Sequence, residues 1–124
     1  MPKTINIAEA FAGFDDHWSP RIAAEVNDFQ VKFVKLDGEF VWHHHDEEDE
    51  LFLVVKGRLI MRFRDGEQTI GPGEMIVVPH GVEHCPAANE ETHVVLLERA
   101  GTPNTGSAGG ERTKAPIPLD GHSA

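Results

Sequence analysis

The chain has 124 residues and a mass of 13.7 kDa, which suits one domain with its own hydrophobic core. Its 21 acidic and 11 basic residues give a formal net charge of −10, which argues against nucleic acid or an anionic membrane surface as a partner. A single cysteine, Cys85, excludes an intrachain disulfide, and no segment has the apolar pattern of a signal peptide or the length of a membrane span. We therefore expect a cytoplasmic, single-domain protein.

The N-terminal segment carries the helix signal of this sequence. Asn6 followed by Glu9 resembles a capping box, and the apolar residues after them end at Gly13. From Arg21 onward the apolar residues alternate with polar ones, which is the period of a half-buried strand. Residues 1–20 are therefore predicted to be a helical segment in front of a strand-rich domain at residues 21–100.

Strand patterns follow one another at short intervals through that domain. They are predicted at Arg21–Val26, Phe29–Phe33, Phe40–His45, Leu51–Lys56, Leu59–Phe63, Glu67–Ile70, Met75–Val78 and Thr92–Glu98. Turn sequences rich in Gly, Pro, Asn and Asp separate them, and Asp65-Gly66 is the strongest hairpin signal. This organisation predicts an all-β sandwich or barrel.

Two of the strands are apolar on both faces. Leu51–Val55 and Val94–Leu97 must pack inside the barrel on one side and against the helix, a second sheet or a partner on the other. We expect a homodimer built on the outer faces, because twofold pairs are the commonest assembly. Residues 101–124 are rich in Gly, Pro, Ser and Thr, which predicts a tail that is either disordered or extended on a neighbour.

Three histidines and one glutamate have positions that suit a metal site. His43 and His45 lie two residues apart on a predicted strand and therefore share a face. Glu50 begins a very apolar strand, so its carboxylate can enter the core side of the sheet, and His84 can approach from the opposite wall of a barrel. Taken alone, the histidine pair and the acidic run at residues 46–50 also fit solvated segments.

The chemistry of this group favours a transition metal. A buried carboxylate is costly unless its charge is compensated, and a divalent cation compensates it. Three imidazoles and one carboxylate suit iron, manganese, zinc, nickel or copper rather than calcium or magnesium. We expect one such ion per chain, with coordination positions left open for a ligand.

Two motifs of the chain resemble the two signatures of the cupin superfamily: His43-x-His45-x4-Glu50-x6-Gly57 and Gly73-x5-Pro79-x-Gly81-x2-His84. The pattern departs from the family at two turn or strand-end positions, since Gly38 lies five residues before His43 and Asn89 lies five after His84. The resemblance implies a double-stranded β-helix, or jelly-roll barrel. It assigns metal ligation to four residues: His43, His45, Glu50 and His84.

The inward positions of the predicted strands are apolar and define the expected substrate pocket: Val41, Phe52, Val54, Met61, Phe63, Met75 and Val77. Such a pocket favours a small, partly apolar molecule, and no inward lysine, arginine or tyrosine is evident as a general base. Two hypotheses follow. The chain is a metal-dependent enzyme of the oxygenase, isomerase or lyase type, or it is a cupin that binds or senses a small molecule or metal without turnover.

The remaining histidines are predicted to be structural or solvated: His17, His44, His80, His93 and His122. Cys85 follows His84 and should point to the opposite face, where a buried and inert thiol is expected.

Overall fold

The computed structural model describes residues 1–119 and confirms the all-β prediction. In chain order the elements are α1 (Ile7–Ala12), β1 (Arg21–Val26), β2 (Phe29–Glu39), β3 (Glu50–Lys56), β4 (Leu59–Phe63), β5 (Gly66–Ile70), β6 (Met75–Val78), β7 (His84–Arg99), a 3-10 turn (Gly106–Ala108) and β8 (Ile117–Pro118). Asn6 caps α1 as predicted, through its side chain and the Glu9 N–H at 2.9 Å. Within residues 1–119 no helix is long and apolar enough to cross a membrane.

Strand β7 holds the sheet together. It is 16 residues long, and it pairs with β4 through its first part and with β3 through its second part. Strand β2 runs antiparallel along the other edge of β7, and the sheet continues through β1 to β8. Strand β6 extends the opposite side by pairing with β3. A sheet with this pairing curls into the jelly-roll barrel of the cupin resemblance.

The interior of the barrel is filled by apolar side chains from alternate strand positions. Their burial from water is the main favourable contribution to folding. The buried members of this core are Val34, Leu36, Phe52, Val54, Leu59, Met61, Ile70, Val78, Ala88, Val94 and Leu96.

Helix α1 covers part of the outer face of the barrel. Phe11 is 1% exposed, with its ring stacked on Phe33 at 5.0 Å and on the His93 imidazole at 4.5 Å. Val55 and Val95, which alternate with inward residues of β3 and β7, pack against this second cluster. The N-terminal segment therefore covers a part of the apolar outer face that the sequence analysis left to a helix or a partner.

The predicted strand at Phe40–His45 is wrong. Within this segment His43 alone forms a β-bridge, with His84. The Phe40 N–H donates to the carbonyl of Pro86 at 2.9 Å, but proline has no N–H to return a hydrogen bond. The ladder is interrupted there, and the segment runs as irregular backbone along β7.

The side of β2 that faces the barrel interior carries polar residues. Lys32 is 1% exposed and Gln30 is buried, whereas Phe29 is exposed and Phe33 lies under α1. Both faces of β2 are shielded from water, because α1 covers the outer one. The alternation of apolar and polar residues therefore does not show which face of the strand is inside the barrel. The expectation that no lysine points inward is therefore wrong at Lys32.

The described part of the tail packs on its own barrel. The Ser107 N–H donates to the His44 carbonyl at 2.8 Å, Thr105 is fully buried, and Leu119 joins the outer cluster under α1. Strand β8 pairs with β1 in parallel. The rest of the predicted tail, including His122, lies outside the described residues.

The structure explains why the first motif ends in a glycine, Gly57. It ends β3 with a φ of 85°, in the left-handed region that glycine adopts without strain. A Cβ atom at this position would lie 2.5 Å from Thr92 Oγ1 and 2.9 Å from the Glu91 carbonyl oxygen. Glycine therefore allows the turn after β3 to pass close to β7.

Replacing Phe11 by alanine tests the role of the helix cover. The loss of a buried aromatic side chain is expected to lower the free energy of unfolding by about 3–5 kcal/mol. Urea unfolding followed by circular dichroism measures this change. Ile7→Ala, at an exposed position of the same helix, is the control and should have little effect; equal effects of the two variants would contradict the assigned packing.

A second prediction concerns Glu91, which accepts hydrogen bonds from His17 at 2.9 Å and His93 at 3.1 Å. These bonds lower the pKa of Glu91 from 4.5 to about 2. Because the folded pKa is the lower one, the stabilisation is present above the unfolded value and is lost as pH falls toward the folded value. In Glu91→Gln, the deficit in unfolding free energy relative to wild type should be fully present just above pH 4.5 and shrink as the pH falls toward 2.

Urea unfolding at several pH values measures that deficit. Glu90→Gln, at the exposed neighbouring position, should show no such trend. A Glu91→Gln deficit that stays constant down to the folded pKa would show that the two histidines do not stabilise the carboxylate.

Candidate metal centre

Four side chains from three parts of the chain meet inside the barrel. His43 and His45 come from the irregular segment before β3, Glu50 is the first residue of β3, and His84 is the first residue of β7. All four are buried, and one ring nitrogen or carboxylate oxygen of each lies within 4.8 Å of the others. Among residues 1–119 no other group of three or more His, Cys, Asp or Glu side chains meets this criterion. The structure thus brings together the four residues that the motifs single out.

Backbone carbonyls orient two of the imidazoles. The Nδ1–H of His43 donates to the Val41 carbonyl at 2.9 Å, and the Nδ1–H of His84 donates to the Val82 carbonyl at 2.9 Å. A carbonyl oxygen only accepts, so the proton of each neutral ring is on Nδ1 and the lone pair is on Nε2. Hydrogen bonds of this kind are the usual support of metal-binding histidines.

The charge states of the group suit a cation. Burial by itself raises the pKa of Glu50, but polar contacts with Glu98, His45 and His84 outweigh it and hold that pKa well below its ordinary value. Burial lowers the pKa of His43 to about 4. At neutral pH the site therefore offers an ionised carboxylate and a neutral imidazole, which are the forms that bind metal.

Several donor atoms of the group are left without a partner. Within the described chain, both ring nitrogens of His45, Glu50 Oε1 and His84 Nε2 are buried and have no hydrogen-bond partner. Glu50 Oε1 lies 3.3 Å from His45 Nε2 and 3.8 Å from His84 Nε2. Each unsatisfied buried polar atom costs about 1–3 kcal/mol. A divalent transition metal would satisfy Glu50 Oε1, His84 Nε2 and one ring nitrogen of His45 together, so the residues present fit such an ion.

A narrow cavity borders the group. Its volume is about 40 Å³, and its wall includes His43 and Glu50, so the predicted metal ligands face an accessible space. That volume is enough for roughly three water molecules. The cavity is lined by Trp18, Pro20, Val34, Leu36, Phe40, His43, Glu50, Phe52, Pro86, Leu96, Glu98 and Asn104.

The predicted pocket residues are only partly at this cavity. Phe52 lines it, whereas Val54 and Met61 are fully buried in the barrel core away from its wall. Phe63 packs against that core, and Val41 is half-buried outside the cavity wall. The sequence thus indicates an apolar interior but not which part of it stays open.

Met75 and Val77 are placed on the other side of the sheet from the expected pocket. Met75 is 64% exposed and Val77 is 51% exposed. In β6 the residues that pack inward are Ile76 and Val78, which alternate with them. Because β6 is short and apolar at every position, its sequence does not show which residues point inward.

Two charged residues that the sequence analysis missed lie inside the barrel. Glu98 is 1% exposed and lines the cavity beside Glu50, and Lys32 Nζ donates to Glu98 Oε2 at 2.6 Å. Burial and the charge of Glu50 raise the pKa of Glu98 well above its ordinary value, against the opposing effect of Lys32. Glu98 follows Val94 and Leu96 at intervals of two residues in β7, so the two-residue period of the strand indicates that its side chain points inward.

Segments before β1 and after β7 contribute to the wall of the cavity. The Trp18 ring stacks on Phe40 at 4.6 Å, and its Nε1–H donates to the Asp37 carbonyl at 2.9 Å. Trp18 has a φ of 58°, a conformation rare for a bulky residue. Asn104 completes this wall, and the Arg112 guanidinium lies over the Phe40 ring at 4.8 Å. Residues before β1 and after β7 thus form part of the cavity wall beside the predicted metal ligands.

The other described histidines and Cys85 lie outside the group. His44 contacts Asp46 and Ser107, and exposed His80 contacts Asp49 at 2.8 Å. Cys85 is buried, and burial raises the pKa of its thiol.

Comparison with known proteins identifies the family. The model of the family described as "Cupin domain" matches residues 31–98, which is more than half of the chain and includes all four clustered residues. The chain therefore belongs to the cupin domain family, as its two motifs predict.

Two solved structures resemble more than three quarters of the chain. A cupin-2 domain containing protein from Shewanella frigidimarina is 50% identical, with a TM-score of 0.76 over 77% of this chain and 93% of that one. A protein from Neisseria meningitidis is 36% identical, with a TM-score of 0.72 over 79% of this chain and 100% of that one. A curated relative, the uncharacterized protein YdbB of Bacillus subtilis, is 39% identical over 62 residues, which span 49% of this chain and 55% of that relative.

Proposed function

We propose that this cupin is a metal-dependent enzyme that acts on a small, partly apolar substrate through an ion bound by His43, His45, Glu50 and His84. The observation that carries the proposal is the meeting of these four buried donors, two of which, His43 and Glu50, line an open cavity. Iron, manganese, zinc, nickel and copper all suit three imidazoles and one carboxylate. The proposed reaction is of the oxygenase, isomerase or lyase type.

The ion would act as a Lewis acid and a template for the substrate. The residues of the chain supply the rest of the proposed function. The carbonyls of Val41 and Val82 hold His43 and His84 in one tautomer, and the ionised Glu50 supplies negative charge. Trp18, Phe40 and Phe52 give the cavity apolar walls that limit the water around a bound substrate and strengthen electrostatic interactions inside.

The alternative is a cupin that binds a metal or a small molecule without turnover. Glu98 favours the enzyme, because it is a titratable group in the cavity wall next to a predicted ligand. Strongly buried titratable groups beside a metal site are more typical of catalytic pockets than of inert ones. We further propose that the protein acts in the cytoplasm, for which its single buried thiol is suitable.

Metal analysis of His45→Ala tests the proposed ligand set. Losing one of four ligands should strongly reduce the metal content of the purified protein while the β signal in circular dichroism remains. His44→Ala is the matched control, because His44 lies between two proposed ligands in sequence but contacts Asp46 and Ser107 instead. Equal metal content in the two variants would remove His45 from the site.

We also propose a homodimer formed through the outer face of β3, β6 and the end of β7. Val77 pairs with Leu51, Met75 pairs with Leu53, and Leu51 also pairs with Leu97, so these side chains form one apolar surface, here called the β6 patch. Helix α1 covers Val55 and Val95 of the outer face. The five residues of the β6 patch do not belong to the cluster under α1. Apolar surfaces of this kind usually mark an interface.

Val77→Lys tests the β6 patch. Wild-type protein is expected to give about twice the chain mass of 13.7 kDa in light scattering, and the variant should give the mass of one chain, because a lysine in a dry interface is costly. Val26→Lys, at an exposed apolar position on β1, is the control and should remain dimeric. A wild-type mass equal to one chain would exclude the proposed dimer.

A further inference from the structure

We propose that Glu98, held in place by Lys32, binds a hydroxyl group of the substrate, and that the substrate is a small alcohol whose reacting part fits the cavity beside Glu50. This inference rests on the proposed function for the presence of a substrate. It adds the polar group that selects the substrate.

The first observation is the position of Glu98. Its side chain is almost fully buried, yet it lines the cavity that also borders His43 and Glu50. Because Leu51 pairs with Leu97 in the β3–β7 ladder, Glu50 and Glu98 are neighbours on the inner face of the barrel. A molecule that reaches the predicted metal ligands from the cavity therefore also reaches Glu98.

The second observation is that the two carboxyl oxygens of Glu98 have different surroundings. Oε2 accepts from Lys32 Nζ at 2.6 Å, which fixes the orientation of the carboxyl group. Oε1 is buried and, within the described residues, has no hydrogen-bond partner. An unsatisfied buried oxygen is costly, and a donor brought by a ligand would remove that cost.

Lys32 is suited to holding Glu98. Its ammonium is 1% exposed and does not line the cavity, so it lies behind Glu98 rather than beside the substrate. Buried ion pairs add little to stability when compared with apolar residues of the same size. Their retention in the wall of a binding cavity is more readily explained by recognition, as a positioned polar group.

The rest of the cavity limits the size and polarity of the substrate. Apart from His43, Glu50, Glu98 and Asn104, its lining residues are apolar or aromatic, and its volume of about 40 Å³ leaves little space. A charged or bulky substrate would lose its hydration without compensation. A short carbon skeleton with one hydroxyl directed at Glu98 Oε1 fits both limits.

Two probes of nearly equal size test the inference. Propan-2-ol and acetone have the same number of non-hydrogen atoms, but only the alcohol has an O–H to donate. Titrations of ¹⁵N-labelled protein followed by NMR give both dissociation constants, with metal-free and zinc-loaded samples measured in parallel. We expect wild type to bind the alcohol about fivefold more tightly, the size of one ordinary hydrogen bond.

Three variants separate Glu98 from other causes. Glu98→Gln should reduce the preference for the alcohol, and the double variant Lys32→Met with Glu98→Leu should abolish it without leaving a buried charge unpaired. Glu91→Gln removes one negative charge outside the cavity and should keep the wild-type preference. Metal content measured on the same samples shows separately whether the proposed metal site is present.

The inference is overturned if wild-type protein binds neither probe or binds both equally. It is also overturned if the double variant keeps the preference, or if the preference occurs only in zinc-loaded samples, because the metal would then be its source. A failure of metal loading with the preference intact would instead count against the proposed function and leave the role of Glu98 supported.

Discussion

The burial of one carboxylate among imidazoles is the constraint on which the rest of this structure depends. Glu50 is ionised inside an apolar barrel, where an uncompensated charge would be very costly. The donor groups of His43, His45 and His84 surround it, but they do not satisfy it, and several of their polar atoms remain without partners in the described chain. A divalent cation is the simplest species that removes this cost. The same charge explains why Glu98 and Lys32 are found together nearby, since a second carboxylate beside Glu50 needs its own compensation.

The barrel brings these residues together by strand pairing rather than by local sequence. Strand β7 pairs with β2, β3 and β4, and it carries His84 at its start and Glu98 near its end, both of which lie beside Glu50. The close approach of Gly57 to β7 and the missing N–H of Pro86 shape the local backbone on either side of this strand pairing. Segments before β1 and after β7 complete the cavity, because Trp18 and Asn104 form part of its wall.

The sequence was informative wherever a local pattern has one physical solution. Asn6 and Glu9 define a helix start, Asp65-Gly66 defines a hairpin, and the spacing from His43 to Glu50 indicates converging ligands. It was not informative where both faces of a strand are dry. The alternation in β2 places Lys32 on the solvent side, and only the packing of α1 over Phe33 shows that Lys32 points inward. Strand β6 is apolar at every position, so its sequence does not show that Met75 and Val77 point outward. Which residues line the remaining cavity depends on tertiary packing, which no period in the sequence encodes.

X-ray absorption spectroscopy of protein purified without added metal tests the central claim most directly. We predict a single type of bound transition metal whose nearest shell contains nitrogen and oxygen at about 2.0–2.2 Å, with the outer-shell scattering of three imidazole rings. A spectrum without imidazole scattering, or a protein that holds no transition metal even after loading, would contradict it.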